Sequence, residues 1–205
     1  MSEFKNRIIT ISGNPSSGKS TVINKLKEDY ENKGYIVHIF SVGHEFRKLA
    51  AEKGLSIEEF NEYMLKRGNV DELIDSTVAQ RGKEINSKER HNDIYIFDSR
   101  LAFYNIPESF SIRLTADDRV AGERAFGDKK RGYKTLEEAI EKTRERKESE
   151  VERYFKRYGI NLQDPQNYNL VIDTSYDNVE DIAEKIEQAL EKSFKEKQSK
   201  EEESR

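Results

Sequence analysis

The chain has 205 residues, 37% of them charged and 34% hydrophobic, a formal net charge of -4 and no cysteine. That length allows one domain with a real core; the lack of cysteine excludes disulfides, thiol chemistry and a thiolate zinc site, and the acidic balance argues against a nucleic-acid partner. No apolar stretch approaches the ~18 residues of a membrane span and the N-terminus lacks a basic-then-apolar leader, so a soluble, cytoplasmic protein with no membrane partner is expected.

In chain order, the apolar run Ile8 to Ile11 predicts a strand, and Thr21-Val22-Ile23-Asn24-Lys25-Leu26 predicts a helix. Between them Gly13-Asn14-Pro15-Ser16-Ser17-Gly18-Lys19-Ser20 matches G-x-x-x-x-G-K-[ST]. The chemistry needs both flanks. The strand delivers the chain to a sheet edge, the glycines let backbone N–H groups turn inward around an anion, and the helix aims its positive N-terminal end at it. Lys19 then reaches the β- and γ-phosphates of a nucleoside triphosphate, and the Ser20 hydroxyl ligates Mg²⁺. Four fixed positions recur by chance in only about one chain in a hundred of this length. The competing reading is a glycine-bounded turn before a helix.

Further strands are predicted at Tyr35 to Phe40, Ile94 to Phe97, Phe110 to Thr115 and Leu170 to Ile172. They alternate with helical segments, the pattern of an α/β fold in which a five-stranded parallel sheet is covered by helices on both faces. Helix starts are signalled at Ser56-Ile57-Glu58-Glu59, Thr135-Leu136-Glu137-Glu138 and Asp177-Asn178-Val179-Glu180, each with a capping residue three before a Glu. The stretch from about 43 to 90 is too long for a crossover helix and is expected to be a helical insertion carrying a second binding site. Residues 1–192 are expected to form the single domain. From 193 to 205 the chain has almost nothing to bury, and a charged, disordered tail is expected.

A phosphate loop does not name a reaction. No N-K-x-D segment marks a guanine-specific GTPase, whereas arginines are spaced along the second half: Arg119 and Arg124 on one helix, Arg144, Arg146 and Arg153 on another. Transfer between two anions needs such groups, and planar guanidinium forks suit it. Arg146 and Arg153 are close to two turns apart and share a helix face. The bland alternative is a solvated surface, since Glu145, Glu148, Glu150 and Glu152 interleave with them. Asp98 and Arg100 follow directly on the third strand and Arg47 lies about one turn beyond the second, where ligands of open α/β sheets collect. Asp98 there can orient Mg²⁺ through water and Arg100 can hold an acceptor phosphate; a helix cap and a surface arginine are the plain alternatives. His38 and His91 have no partner at ligand spacing.

These residues resemble the cytidylate kinases, specifically the short archaeal type within the nucleoside monophosphate kinases, from Ile8 to about Ile186. The carriers are Ile9-Thr10-Ile11-Ser12-Gly13 with the phosphate loop, Gly43-His44-Glu45-Phe46-Arg47-Lys48-Leu49-Ala50, Asp98-Ser99-Arg100-Leu101-Ala102, Leu114-Thr115-Ala116 with Arg119 and Arg124, Arg146-Lys147-Glu148-Ser149-Glu150 with Arg153-Tyr154, and Tyr168 through Ser175. The resemblance implies the P-loop NTPase fold and ATP with Mg²⁺ as the bound donor. It places Gly13, Asn14, Pro15, Ser16, Ser17, Gly18, Lys19, Ser20 and Thr21, with Arg119 and Arg124, on ATP. It places Arg47, Arg81, Asp98 and Arg100 on the acceptor monophosphate, and Arg146 and Arg153, in or beside a lid at about 127–135, on the phosphoryl group in flight. Lys19 is implied as catalytic with them. Three positions depart from the family pattern, His44, Ala79 and Gly82, all in the inserted segment. CMP or dCMP is therefore the expected acceptor, with another small-molecule acceptor left open. A nucleotide-binding regulatory protein that has lost phosphotransfer and a nucleic-acid-associated ATPase are the readings from other classes; Arg146 and Arg153 speak against the first and the acidic balance against the second. A monomer is expected.

Overall fold

The structure is a computed structural model that describes residues 7–55, 59–60, 63, 70–86 and 92–203. In chain order it contains β1 (Arg7–Gly13), α1 (Lys19–Asn32), β2 (Ile36–Ser41), α2 (Val42–Glu52), α3 (Val70–Asn86), β3 (Asp93–Asp98), α4 (Ala102–Asn105), β4 (Phe110–Thr115), α5 (Asp118–Gly127), α6 (Leu136–Tyr158), β5 (Leu170–Asp173) and α7 (Val179–Glu203), with short 3-10 turns at Lys129–Arg131 and Pro165–Asn167. The five strands form a sheet in the order β2-β3-β1-β4-β5. Within it β1 and β2 each pair in parallel with β3, and β4 pairs in parallel with β5. Every strand read from the sequence is present and lies within two residues of its expected ends. That agreement has a cause: β1, β3 and β4 are buried along almost their whole length, β1 and β3 reading as largely apolar runs and β4 as an alternation of Phe110, Ile112 and Leu114 with Ser111, Arg113 and Thr115.

The chain divides into two compact units, Met1–Ser12 with Tyr30–Phe110, and Gly13–Asp29 with Ser111–Arg205. Each is assembled from separated stretches of sequence. The core of the first gathers Ile8, Tyr95 and Phe97 from strands with Val78 and Ile85 from α3 and Ala102 and Ile106 beyond β3, and Phe40 and Val42 pack partly against it. A buried hydroxyl pair, Thr10 Oγ1 and Ser109 Oγ at 3.1 Å, satisfies itself within this core. Gly82 packs closely here. A Cβ on it would meet Ile106 Cγ1 at 2.8 Å, so the side of α3 that carries it is filled by Ile106.

In the second unit Ile112 and Leu114 of β4 are fully buried, as are Ile186 and Leu190 of α7. Helix α5 lies so close along α6 that a Cβ on Gly122 would come within 2.7 Å of Ile140 Cα. Helix α6 itself buries only Ala139 and Thr143 of its 23 residues, so most of it faces water. It is capped as its sequence signals: Glu138 N–H donates to Thr135 Oγ1 at 3.1 Å, and at the other end Gly159, at φ 68°, closes the helix with its N–H on Phe155 O. The third expected start shifts by one residue. Asn178 rather than Asp177 is the cap, accepting from Asp181 N–H at 2.8 Å, while Asp177 pairs with Lys185 Nζ at 2.5 Å. The start expected at Ser56 falls on residues outside those described. Helical backbone continues to Glu203, through most of the segment where the sequence suggested a disordered tail; its run of Lys, Glu and Gln has high intrinsic helix propensity and needs no core to be helical. Among the described residues no helix is long and apolar enough to cross a membrane.

Candidate active site

The phosphate-loop sequence adopts a closed turn against the end of β4. Asn14 N–H donates to Leu114 O at 3.1 Å, Ser17 N–H donates back to Asn14 O at 3.2 Å, and Val22 N–H takes Gly18 O at 3.0 Å to start α1. Gly13 allows this approach, because a Cβ there would sit 2.6 Å from Leu114 O and 2.7 Å from Ser17 Oγ. Ser16 and Gly18 both have positive φ, 59° and 80°, which turns successive amides toward one side of the loop. Among the described residues the N–H groups of Gly18, Ser20 and Thr21 have no acceptor, and the buried hydroxyls of Ser16 and Ser17 have no partner. Pro15 is buried, Lys19 is half-buried, and Ser20 and Thr21 are exposed at the first turn of α1. Unsatisfied donors at a helix N-terminus beside a lysine suit an anion, and the Ser20 hydroxyl is a hard oxygen ligand suited to Mg²⁺.

Arg124 of α5 joins this loop. Its Nη1 donates to Thr174 Oγ1 at 3.0 Å and reaches Ser16 O at 3.5 Å, and its Nη2 donates to Thr174 O at 2.5 Å. Thr174, just past β5 and 1% exposed, is the junction: its hydroxyl lies 2.9 Å from both Ser17 O and Thr115 O, and its N–H donates to Thr115 O at 2.9 Å. A neighbouring contact repeats the pattern, with Asp117 N–H donating to Ser175 Oγ at 2.8 Å while the Asp117 carboxylate caps α5. Arg113 of β4 completes the support, donating from Nη2 to Asn14 Oδ1 at 2.7 Å. Sequence reasoning gave no role to Arg113 or Thr174. Neither carries a local motif; each meets the loop only across 99 and 157 residues of chain.

The other arginines of this unit stand apart from the loop in their contacts. Arg119 is largely exposed and its Nε donates to Glu123 at 3.1 Å. Arg146 is 56% exposed, with its Nε on Glu150 Oε1 at 3.1 Å. Arg153 is exposed, its guanidinium 4.9 Å from the ring of Tyr154. The face of α6 is laced with such partners. Glu141 holds the Arg144 guanidinium above its ordinary pKa through a hydrogen bond and its charge, and Lys156 in the same two ways holds the Glu152 carboxyl below the usual carboxylate value. Lys147 crosses to Asp118 and ties α6 to the first turn of α5. The segment Gly127 to Thr135 between those helices is exposed for most of its length, with Gly132 at φ 67° and Arg131 Nε on Asp128 at 3.4 Å.

The residues implied for the acceptor belong to the first unit. Asp98 ends β3 in register with Ser41 at the end of β2, whose hydroxyl donates to Asp98 Oδ2 at 3.0 Å. Ser41 Oγ also accepts His44 N–H at 3.3 Å, which fixes the first turn of α2 and leaves His44 exposed. Arg100 follows in the bend after β3, half-buried. Arg81, 54% exposed on α3, lies 5.1 Å above the Phe40 ring and donates to Glu84 at 3.3 Å. Arg47 belongs to the backbone of α2, and its side chain is outside the described residues. Of the three departures, Gly82 is a packing position under Ile106, while Ala79 is half-buried on the same helix.

Comparison with known proteins gives the family and the fold. The model of the Cytidylate kinase-like family matches residues 8–176. A cytidylate kinase of Methanocella arvoryzae is 39% identical over 168 residues, 82% of this chain and 87% of that protein, and one of Archaeoglobus fulgidus is 34% identical over 184 residues, 89% and 94% of the two chains. Among solved structures, shikimate kinase from Bacteroides thetaiotaomicron superposes with a TM-score of 0.57 at 10% identity, covering 90% of this chain and 98% of that one. Shikimate kinase from Acinetobacter baumannii, in complex with shikimate, gives 0.53 at 19% identity, covering 92% and 94%. These structural likenesses show the P-loop NTPase fold.

Proposed function

Because the chain belongs to the cytidylate kinase-like family, we propose that it transfers the γ-phosphoryl group of ATP to a nucleoside monophosphate, CMP or dCMP, giving CDP or dCDP. The observation that carries the reading is the braced phosphate loop: amides of Gly18, Ser20 and Thr21 without acceptors, Lys19 beside them, and the Arg124 guanidinium fixed on Thr174 and reaching the Ser16 carbonyl. A loop held from several directions before any ligand arrives is preorganised, so its dipoles need no rearrangement when charge develops on the transferring group.

Lys19 and the loop amides hold the β- and γ-phosphates, and Arg124 stands against the same loop. Ser20 would hold Mg²⁺, which when bound with ATP neutralises charge on the β- and γ-oxygens. Arg47, Arg81 and Arg100 hold the acceptor phosphate, with Asp98 fixed by Ser41 at the strand end. The acceptor oxygen is already anionic, so the chain supplies no general base and no residue becomes covalently modified. Arg146 and Arg153 leave their present partners on α6 for the phosphoryl oxygens in flight, and the segment 127–135 closes to exclude water, which protects ATP from hydrolysis. The enzyme works as a cytoplasmic monomer.

The test is ADP release from ATP·Mg²⁺ against CMP, dCMP, UMP, AMP, GMP and dTMP, with Lys19→Ala as blank. Turnover with CMP or dCMP above the other acceptors is the expected result. Turnover with none of the six, while ATP still binds, overturns the acceptor assignment and leaves a nucleotide-binding regulatory role.

A further inference from the structure

Arg113 lies in the middle of a strand that is buried along almost its whole length. Its neighbours Ile112 and Leu114 are fully buried, and Arg113 itself is 4% exposed. Among the described residues every partner it has is neutral: Nη2 donates to Asn14 Oδ1 at 2.7 Å, Nη1 donates to the Tyr168 hydroxyl at 3.4 Å, and the guanidinium carbon lies 5.6 Å from the Tyr168 ring centroid. Tyr168 passes its own proton to Leu162 O at 3.0 Å, so it cannot balance the charge. Among the described residues no carboxylate pairs with Arg113. A guanidinium keeps its charge under all ordinary conditions, and taking it out of water with no counter-ion is strongly unfavourable.

The one functional element it touches is the phosphate loop. Asn14 is fixed on three sides, by its N–H on Leu114 O, by its carbonyl on Ser17 N–H, and by its side-chain oxygen on Arg113. We propose that Arg113 is a positioning residue for donor binding: acting through Asn14, it holds the loop, and its buried charge finds its counter-ion in the polyphosphate that enters the loop. The inference rests on the reading that the loop binds ATP. It explains why a cation is tolerated in the middle of a buried strand, since the imbalance is present only in the empty protein and is relieved by the ligand.

The two states therefore respond to loss of the charge in opposite senses. ADP affinity by calorimetry and thermal unfolding with and without ADP are measured on the unmutated protein, Arg113→Met, Arg113→Lys and Lys19→Ala. Arg113→Met is expected to weaken ADP by about tenfold or more while melting no lower than the unmutated protein in the absence of nucleotide, with the KM for the monophosphate acceptor unchanged. Arg113→Lys, which keeps the charge, is expected to stay within about threefold in ADP affinity. An unchanged ADP affinity in Arg113→Met, or a melting temperature lowered equally with and without ADP, overturns the proposal and leaves Arg113 a packing residue. If Arg113→Met does not fold, Arg113→Lys decides, and a tenfold loss in that variant overturns it. Should the unmutated protein bind ADP no better than Lys19→Ala, it is the phosphate-loop reading that fails.

Discussion

Replacing Thr174 by valine removes one oxygen and keeps the shape of the side chain, so it isolates what the junction beneath the phosphate loop contributes. The hydroxyl has a single proton to place on Ser17 O or Thr115 O, both 2.9 Å away, and it accepts Arg124 Nη1 at 3.0 Å. A neutral buried hydrogen bond contributes about 1 kcal/mol and a charge-assisted one about 1.5–3. Arg124 keeps its Nη2 bond to Thr174 O, so the lower part of the second range applies and the loss comes to about 2–3 kcal/mol. For a chain of this size each kcal/mol shifts the melting temperature by about 2–4 °C, which predicts a fall of roughly 4–12 °C. Half of that energy, if it serves to hold Ser17 in place, raises the KM for ATP by about tenfold at saturating acceptor. Thermal unfolding and ADP-release kinetics measure both quantities, and Thr174→Ser, which keeps the hydroxyl, should restore most of each. A Thr174→Val protein that melts within 2 °C of the parent and keeps its KM for ATP would refute the view that this threonine holds the loop.

Arg47→Ala should raise the KM for the monophosphate by about tenfold or more and leave ATP affinity as it is; initial rates at varied acceptor and a nucleotide titration separate the two. Arg153→Ala should lower kcat by about a hundredfold with little change in either KM, read from the same assay, because the contact proposed for it with the phosphoryl group is one made only in the transition state. Gly122→Ala and Gly82→Ala differ in what resists the new methyl group. At Gly122 it meets Ile140 Cα at 2.7 Å, backbone that cannot yield, while at Gly82 it meets only the Ile106 side chain. The first should therefore cost about 1–3 kcal/mol and the second less, since a rotamer change and the gain in helix propensity offset it; chemical denaturation of both variants gives the comparison.

What the sequence made legible is local in origin. The inner strands β1 and β3 were readable because burial makes them largely apolar runs, β4 because apolar and polar residues alternate along it, and the phosphate loop because its glycines, lysine and serine are contiguous. The capping signal before α7 was read one residue early, since Asp177 and Asn178 are both competent caps and only the turn geometry chooses Asn178. The support of the loop was not legible. Arg113, Thr174 and Ser175 act through contacts made across the sheet, and nothing in their immediate neighbours distinguishes a buried bracing arginine from a strand-surface one. Gly82, which the resemblance sets apart, packs under Ile106, a contact across the fold that its neighbours in sequence do not signal.

The pairing of Arg146 with Glu150 sets a cost on readiness. A surface ion pair at i,i+4 contributes under about 1 kcal/mol and is weakened by salt, so the guanidinium proposed to meet the transferring group is parked rather than locked. On the proposed role of Arg146, Glu150 stands in for the phosphate, bonded to Nε at 3.1 Å and weak enough to be displaced by a more highly charged oxygen cluster. Exchange of this kind makes the enzyme's rate sensitive to competing anions in the buffer: sulfate or phosphate would occupy the arginine before the substrate does, and inhibition by them should be stronger than their effect on melting.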